Sequence, residues 1–142
     1  MACRIDFYHD APDRLEVAVR IAQKAYAAGN RMLVVAPDAN IREAFDRLLW
    51  THGQSNFVPH CLAEHRLAAE TPVVIAKDVP EQFSADVLLN LGDDQPQQYD
   101  RFDRIIEIVS RDGDDAPAAR LRFRDYRNAG HEVNSHRLGE RS

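Results

Sequence analysis

Residues 120–127, Arg120-Leu121-Arg122-Phe123-Arg124-Asp125-Tyr126-Arg127, carry the densest recognition chemistry in the sequence. On a helix, Arg120, Phe123, Arg124 and Arg127 fall at i, i+3, i+4 and i+7 and share one face. Guanidinium groups there can pair with carboxylates while the Phe123 ring packs against an apolar side chain. Like charges this close disfavour one another by about a few tenths of a kcal/mol per pair. Cations near a helix C-terminus are in turn favoured by the helix dipole. The face reads in two ways. It is a receptor for an acidic group attached to an apolar one, or a solvated surface neutralised by the stretch 78–115, which holds 11 acids and three bases. Judged on the residues alone, the solvated surface is the commoner outcome for an exposed charge run.

A second cluster is Trp50, followed by Phe57-Val58-Pro59-His60. Aromatics and a proline near a turn suit a partner-binding surface. The alternative is core, with Phe57 and Val58 as a short strand and Trp50 capping the helix before it. Other chemistries are poorly supplied. His60, Cys61 and His65 offer three ligands, but no fourth is spaced as a zinc motif requires. The simpler reading is a half-buried histidine and a small core cysteine. Asp112, Asp114 and Asp115 around Gly113 do not match a calcium loop and read as a solvated acidic turn. Glycines 29, 53, 92, 113, 130 and 139 are too dispersed for a dinucleotide fingerprint or a phosphate loop. Serines 55, 84, 110, 135 and 142 lack a nucleophile-elbow context, and no Ser-His-Asp or Cys-His set stands out.

These residues need elements to hold them. Arg4-Ile5-Asp6-Phe7-Tyr8 alternates and predicts a first strand. Asp10 and Pro12 predict a helix start, Leu15, Ala18, Ala22 and Ala25 mark its buried face, and Gly29-Asn30 ends it. Met32-Leu33-Val34-Val35-Ala36 is a continuous apolar run, as in a strand buried on both faces. A second helix begins near Asp38 or Asn40, with Glu43 as a capping-box partner. Its stripe is Ile41, Ala44, Phe45, Leu48 and Leu49, and it ends at Trp50-Thr51-His52-Gly53. Further strands are predicted at Phe57-Val58, Val73–Ala76, Val87–Leu91 and Arg104–Val109. A last helix covers 117–129, closed by Gly130, and His131–Leu138 forms a closing strand or tail. This alternation implies an α/β fold: one domain over 1–142, a three-layer, Rossmann-like, mostly parallel sheet without a nucleotide-binding glycine loop.

The chain has 142 residues, 44% hydrophobic and 29% charged, with a net charge of −5. This is ordinary globular composition for one domain. Residues 116–142 hold six arginines against three acids, so the rest of the chain carries −8. Most of such a surface repels phosphate, which argues against general nucleic-acid binding. No apolar run approaches membrane-spanning length. The opening residues do not read as a signal peptide. Two cysteines, Cys3 and Cys61, make no disulfide framework, so a reducing cytoplasm is the expected compartment.

Several segments, in order, resemble the chi subunit family of bacterial DNA polymerase III. They are Ile5–Tyr8, Leu48–Trp50, Phe57–Ala63, Thr71–Ile75, Asp86–Leu91, Ile105–Val109 and Ala119–Gly130. The resemblance covers nearly the whole chain and rests on their order and spacing together. It implies a replication subunit with no catalysis of its own, no cofactor and no metal. Family members link the clamp loader, usually through a psi subunit, to the single-stranded-DNA-binding protein, whose acidic C-terminal tail ends in phenylalanine. The implied tail pocket uses Arg120 and Arg124 as carboxylate partners, with Phe123, Val109 and Trp50 as apolar walls. Phe123 stands where a tyrosine would also be expected, which removes a hydroxyl contact. The implied surface for psi, the clamp loader or a helicase is Phe57, Pro59 and His60. DNA contact would be mainly indirect, and the place of work the cytoplasmic replisome. Two rivals stay open: a nucleotide-binding or nucleotide-hydrolysing enzyme on the same sheet, and a direct single-stranded-DNA binder using residues 120–127.

Overall fold

In the computed structural model, residues 3–51, 58–111 and 113–138 are described. Seven strands among them form one sheet: β1 (Arg4–Ala11), β2 (Met32–Val35), β3 (His60–Leu62), β4 (Val73–Ala76), β5 (Val87–Asn90), β6 (Arg104–Ser110) and β7 (Glu132–Arg137). The order across the sheet is β3-β4-β2-β5-β6-β1-β7. Every pairing is parallel. Parallel neighbours require crossovers, and helices α1 (Arg14–Ala27), α2 (Ala39–Thr51) and α3 (Ala116–Asn128) supply three of them. The fold is therefore α/β and Rossmann-like as the alternation implied, with a sheet that is wholly rather than mostly parallel.

The apolar runs explain the layers. β2, β4 and β5 are buried at every residue, which demands cover on both faces. One core lies under α1 and α2 and joins Ala18, Val19, Ala22, Phe45 and Leu49 to Val34, Ile75, Leu89 and Ile106. The other lies under α3 and joins Ala119 and Tyr126 to Ile5, Phe7, Leu33, Leu88, Ile105 and Val109.

Two local readings change and one open choice is resolved. The N-cap of α1 is Asp13, whose side chain accepts from the Glu16 N–H at 3.2 Å, so Pro12 precedes the helix. Asp10 instead belongs to β1, which continues to Ala11 through a bulge. Asp38, not Asn40, caps α2, accepting from the Asn40 N–H at 2.8 Å. The strand expected at Phe57-Val58 is displaced to β3; Val58 is buried outside it, and Phe57 lies outside the described residues.

Candidate functional site

Helix α3 begins with a proline in its first turn and stops before Gly130, whose φ of +93° suits the left-handed residue that ends helices. Its buried residues are Ala119, Arg122 and Tyr126. Arg122 and Tyr126 converge on Glu107 of β6. The Glu107 carboxylate lies 3.1 Å from the Arg122 guanidinium and accepts from the Tyr126 hydroxyl at 2.8 Å and the Asn90 amide at 3.0 Å. Arg122 also donates to the Asp93 carbonyl. Burial pushes the Glu107 carboxyl up from its ordinary range, and these donors pull it part of the way back. Burial beside Glu107 likewise raises the Tyr126 phenol. This cluster is structural: it seats α3 on the sheet.

With that face turned inward, the next face of α3 borders a groove of about 830 Å³ at the C-terminal ends of β1 and β6. Phe7, Val109, Ala119 and Phe123 supply its apolar lining. The Phe7 and Phe123 rings pack with centroids 5.1 Å apart. Arg120, Arg124 and Arg127 line the same groove from α3, and all three are exposed. Four of the five residues expected in a tail pocket, Val109, Arg120, Phe123 and Arg124, are thus brought together.

Trp50 is not among them. It stands in the last turn of α2 with 62% of its surface exposed and lines a separate hollow with Pro59, His60, Leu62 and Leu67. β3, on that side, and β7, beside α3, are opposite edges of the sheet. Six strand spacings separate them, about 29 Å. Trp50 therefore joins Pro59 and His60, the residues expected to form the second interface. Its ring meets that of His60 edge-on at 5.0 Å. His60 Nδ1 donates to the Val58 carbonyl at 2.7 Å, and its Nε2 lies 3.3 Å from Asp46. Phe57, the remaining member of that expectation, lies outside the described residues.

Among the groove residues that sequence reasoning missed are Phe7, His9 and Asp10 on β1 and Arg111, just beyond β6. A signal existed, since α/β sites gather beyond the C-terminal ends of strands. It does not say which strands are neighbours.

The crevice beyond β2 and β5, where a nucleotide would lie on such a sheet, is lined by Asp38, Asp78, Asp93 and Asp94 with Lys77. A Cβ on Gly92 there would stand 2.9 Å from Pro37 Cδ, so the backbone and Pro37 close on each other. Clustered carboxylates oppose a phosphate at this place. Among the described residues, no three His, Cys, Asp or Glu side chains are grouped to hold a metal ion.

Comparison with known proteins agrees with the resemblance. A family model described as "DNA polymerase III chi subunit, HolC" matches residues 2–134. DNA polymerase III subunit chi of Pseudomonas aeruginosa is 36% identical over 139 residues, covering 95% of this chain and 96% of that protein. The subunit of the same name from Escherichia coli is 27% identical over 121 residues, covering 84% of this chain and 82% of its own. That from Haemophilus influenzae is 26% identical over 125 residues, covering 87% of each.

Proposed function

This chain belongs to the DNA polymerase III chi subunit family, and from that premise we propose that it works as a non-catalytic adaptor with two separate docking surfaces. The groove beside α3 takes the acidic, phenylalanine-ended tail of the single-stranded-DNA-binding protein. The hollow around Trp50, Pro59 and His60 takes the clamp-loader side, through a psi subunit where one is present, or a helicase. One observation carries this reading: exposed guanidinium groups of Arg111, Arg120, Arg124 and Arg127 border an apolar lining of Phe7, Val109 and Phe123. Carboxylates along the tail would pair with the arginines while the terminal ring enters the apolar slot. A short peptide makes few contacts, so its affinity is modest, on the order of micromolar, about −8 kcal/mol.

Well-separated parts of one sheet suit a linker, because β3 and the β6 and β1 strands under the groove are four and five strand spacings apart, about 19–24 Å, and partners there need not compete for space. The rivals lose support. Stacking single-stranded DNA on α3 needs free aromatic faces, yet Tyr126 is fully buried and Phe123 packs on Phe7. A nucleotide would meet the carboxylate-lined crevice described above. No helix among the described residues is long and apolar enough to cross a membrane.

Isothermal titration of the protein with a synthetic acidic peptide ending in phenylalanine tests the tail site. Saturable micromolar binding that weakens with salt is the expected result. Absence of binding would remove the site. Nucleotide turnover that a point change in this chain abolished would sink the adaptor reading.

A further inference from the structure

The wall of the groove facing α3 is built by an irregularity. Along β1, Ile5 and Phe7 point to the core under α3 and Tyr8 to the core under α1. Strict alternation would send residue 10 the way of Tyr8, away from the groove. The β1–β6 pairing instead shifts register between Tyr8 and Ala11, and Asp10 takes a φ of +61°. Bulges re-aim side chains in this way, and a non-glycine residue in the left-handed region persists only when its surroundings hold it. Here the flanks are pinned: the Arg111 N–H donates to the Ala11 carbonyl at 2.8 Å, and the Leu138 N–H to the His9 carbonyl at 2.9 Å. The result is a carboxylate lining a groove otherwise bordered by arginines. Its Oδ2 lies 3.2 Å from His9 Nδ1 and 3.2 Å from Arg137 Nε, and about a third of the side chain is exposed.

We propose that Asp10 is a specificity-determining residue of the tail groove, a fixed carboxylate, only partly offset by the exposed Arg137, that repels acidic ligands from the β1 wall. It holds the ligand's carboxylates along α3 and keeps charge alone from securing an acidic chain, so the apolar end must be seated for binding. This rests on the tail reading above. Among the described residues the ion-pair partners of Asp10 are His9 and Arg137 and not the α3 arginines, so its influence on those is through space.

The test is titration with two peptides: an acidic one ending in phenylalanine, and one of equal length with its aspartates replaced by asparagines. Asp10→Asn keeps a residue that tolerates the left-handed conformation, and Asp10→Gly removes the backbone demand should the first variant fold poorly. At low salt both variants should bind the acidic peptide about three- to ten-fold more tightly than wild type. The gain should shrink at high salt and be missing for the asparagine peptide. It should persist in an Arg137→Gln background, which excludes a gain caused by releasing Arg137. Unchanged or weaker binding of the acidic peptide, an equal gain for both peptides, or loss of the gain without Arg137 overturns the proposal while the tail site stands. Failure of the wild type to bind the acidic peptide overturns the tail reading itself, and this proposal with it.

Discussion

The guanidinium of Arg122 lies 3.1 Å from the buried carboxylate of Glu107, while Arg120 and Arg124, two positions to either side, border the open groove. One arginine of the run thus seats the helix, and its neighbours are left to recognise a ligand.

Replacing Arg122 should therefore damage the fold and not the groove chemistry. Removing one partner of a buried pair leaves the other charge uncompensated, at a cost of about 3–5 kcal/mol. Arg122→Ala should unfold at much lower urea than wild type. Arg122→Met with Glu107→Gln should recover part of that loss, because no buried charge is then orphaned and the amide oxygen can still accept from the Tyr126 hydroxyl. A double variant as unstable as the single one would contradict the pairing.

Arg120→Ala and Arg124→Ala should do the reverse. Both residues are exposed, so stability should move by less than about 1 kcal/mol. Each loses a charge-assisted hydrogen bond to the tail, and titration should show roughly ten-fold weaker binding or more. Wild-type affinity in either variant would remove that arginine from the site.

Trp50→Ala separates the two surfaces. With 62% of its surface exposed, Trp50 adds little to the core, and the melting temperature should stay close to wild type. Binding of the acidic peptide should be unchanged at the far edge of the sheet. Capture of a psi-like or helicase partner should drop at least ten-fold, as for an aromatic interface anchor. A large loss of melting temperature would show that Trp50 supports the fold instead.

Asp6 predicts acid sensitivity. Its carboxylate is fully buried on β1 and lies 2.6 Å from Arg104, 3.0 Å from His136 and 3.2 Å from Arg4. Burial alone would raise its pKa, but hydrogen bonds with His136 and Arg104 outweigh that and hold it below the ordinary value. A lowered folded value means that the stabilisation is present above the unfolded pKa of about 3.9. It is lost as the pH falls through the folded value. Urea midpoints should separate wild type from Asp6→Asn at pH 6, and the gap should narrow at pH 3. A gap independent of pH would contradict the assignment.

Much of this protein was legible from its residues because the signals are local. Continuous apolar runs at Met32–Ala36, Val73–Ala76 and Val87–Leu89 need cover on both faces, which implies a parallel sheet between helices. The common face of Arg120, Phe123, Arg124 and Arg127 follows from helical periodicity alone. Tertiary structure decided what stands opposite that face. The strand order β3-β4-β2-β5-β6-β1-β7 is not the chain order, so no local pattern shows that Val109, Arg111 and Asp10 line the groove beside α3 or that Trp50 stands at the far edge. Arg122 turns inward because an acid in the middle of an apolar strand, Glu107, needs a partner once α3 covers it. Asp10 reaches the groove because a bulge breaks the two-residue alternation, and bulges are set by pairing between strands that the sequence keeps about a hundred residues apart.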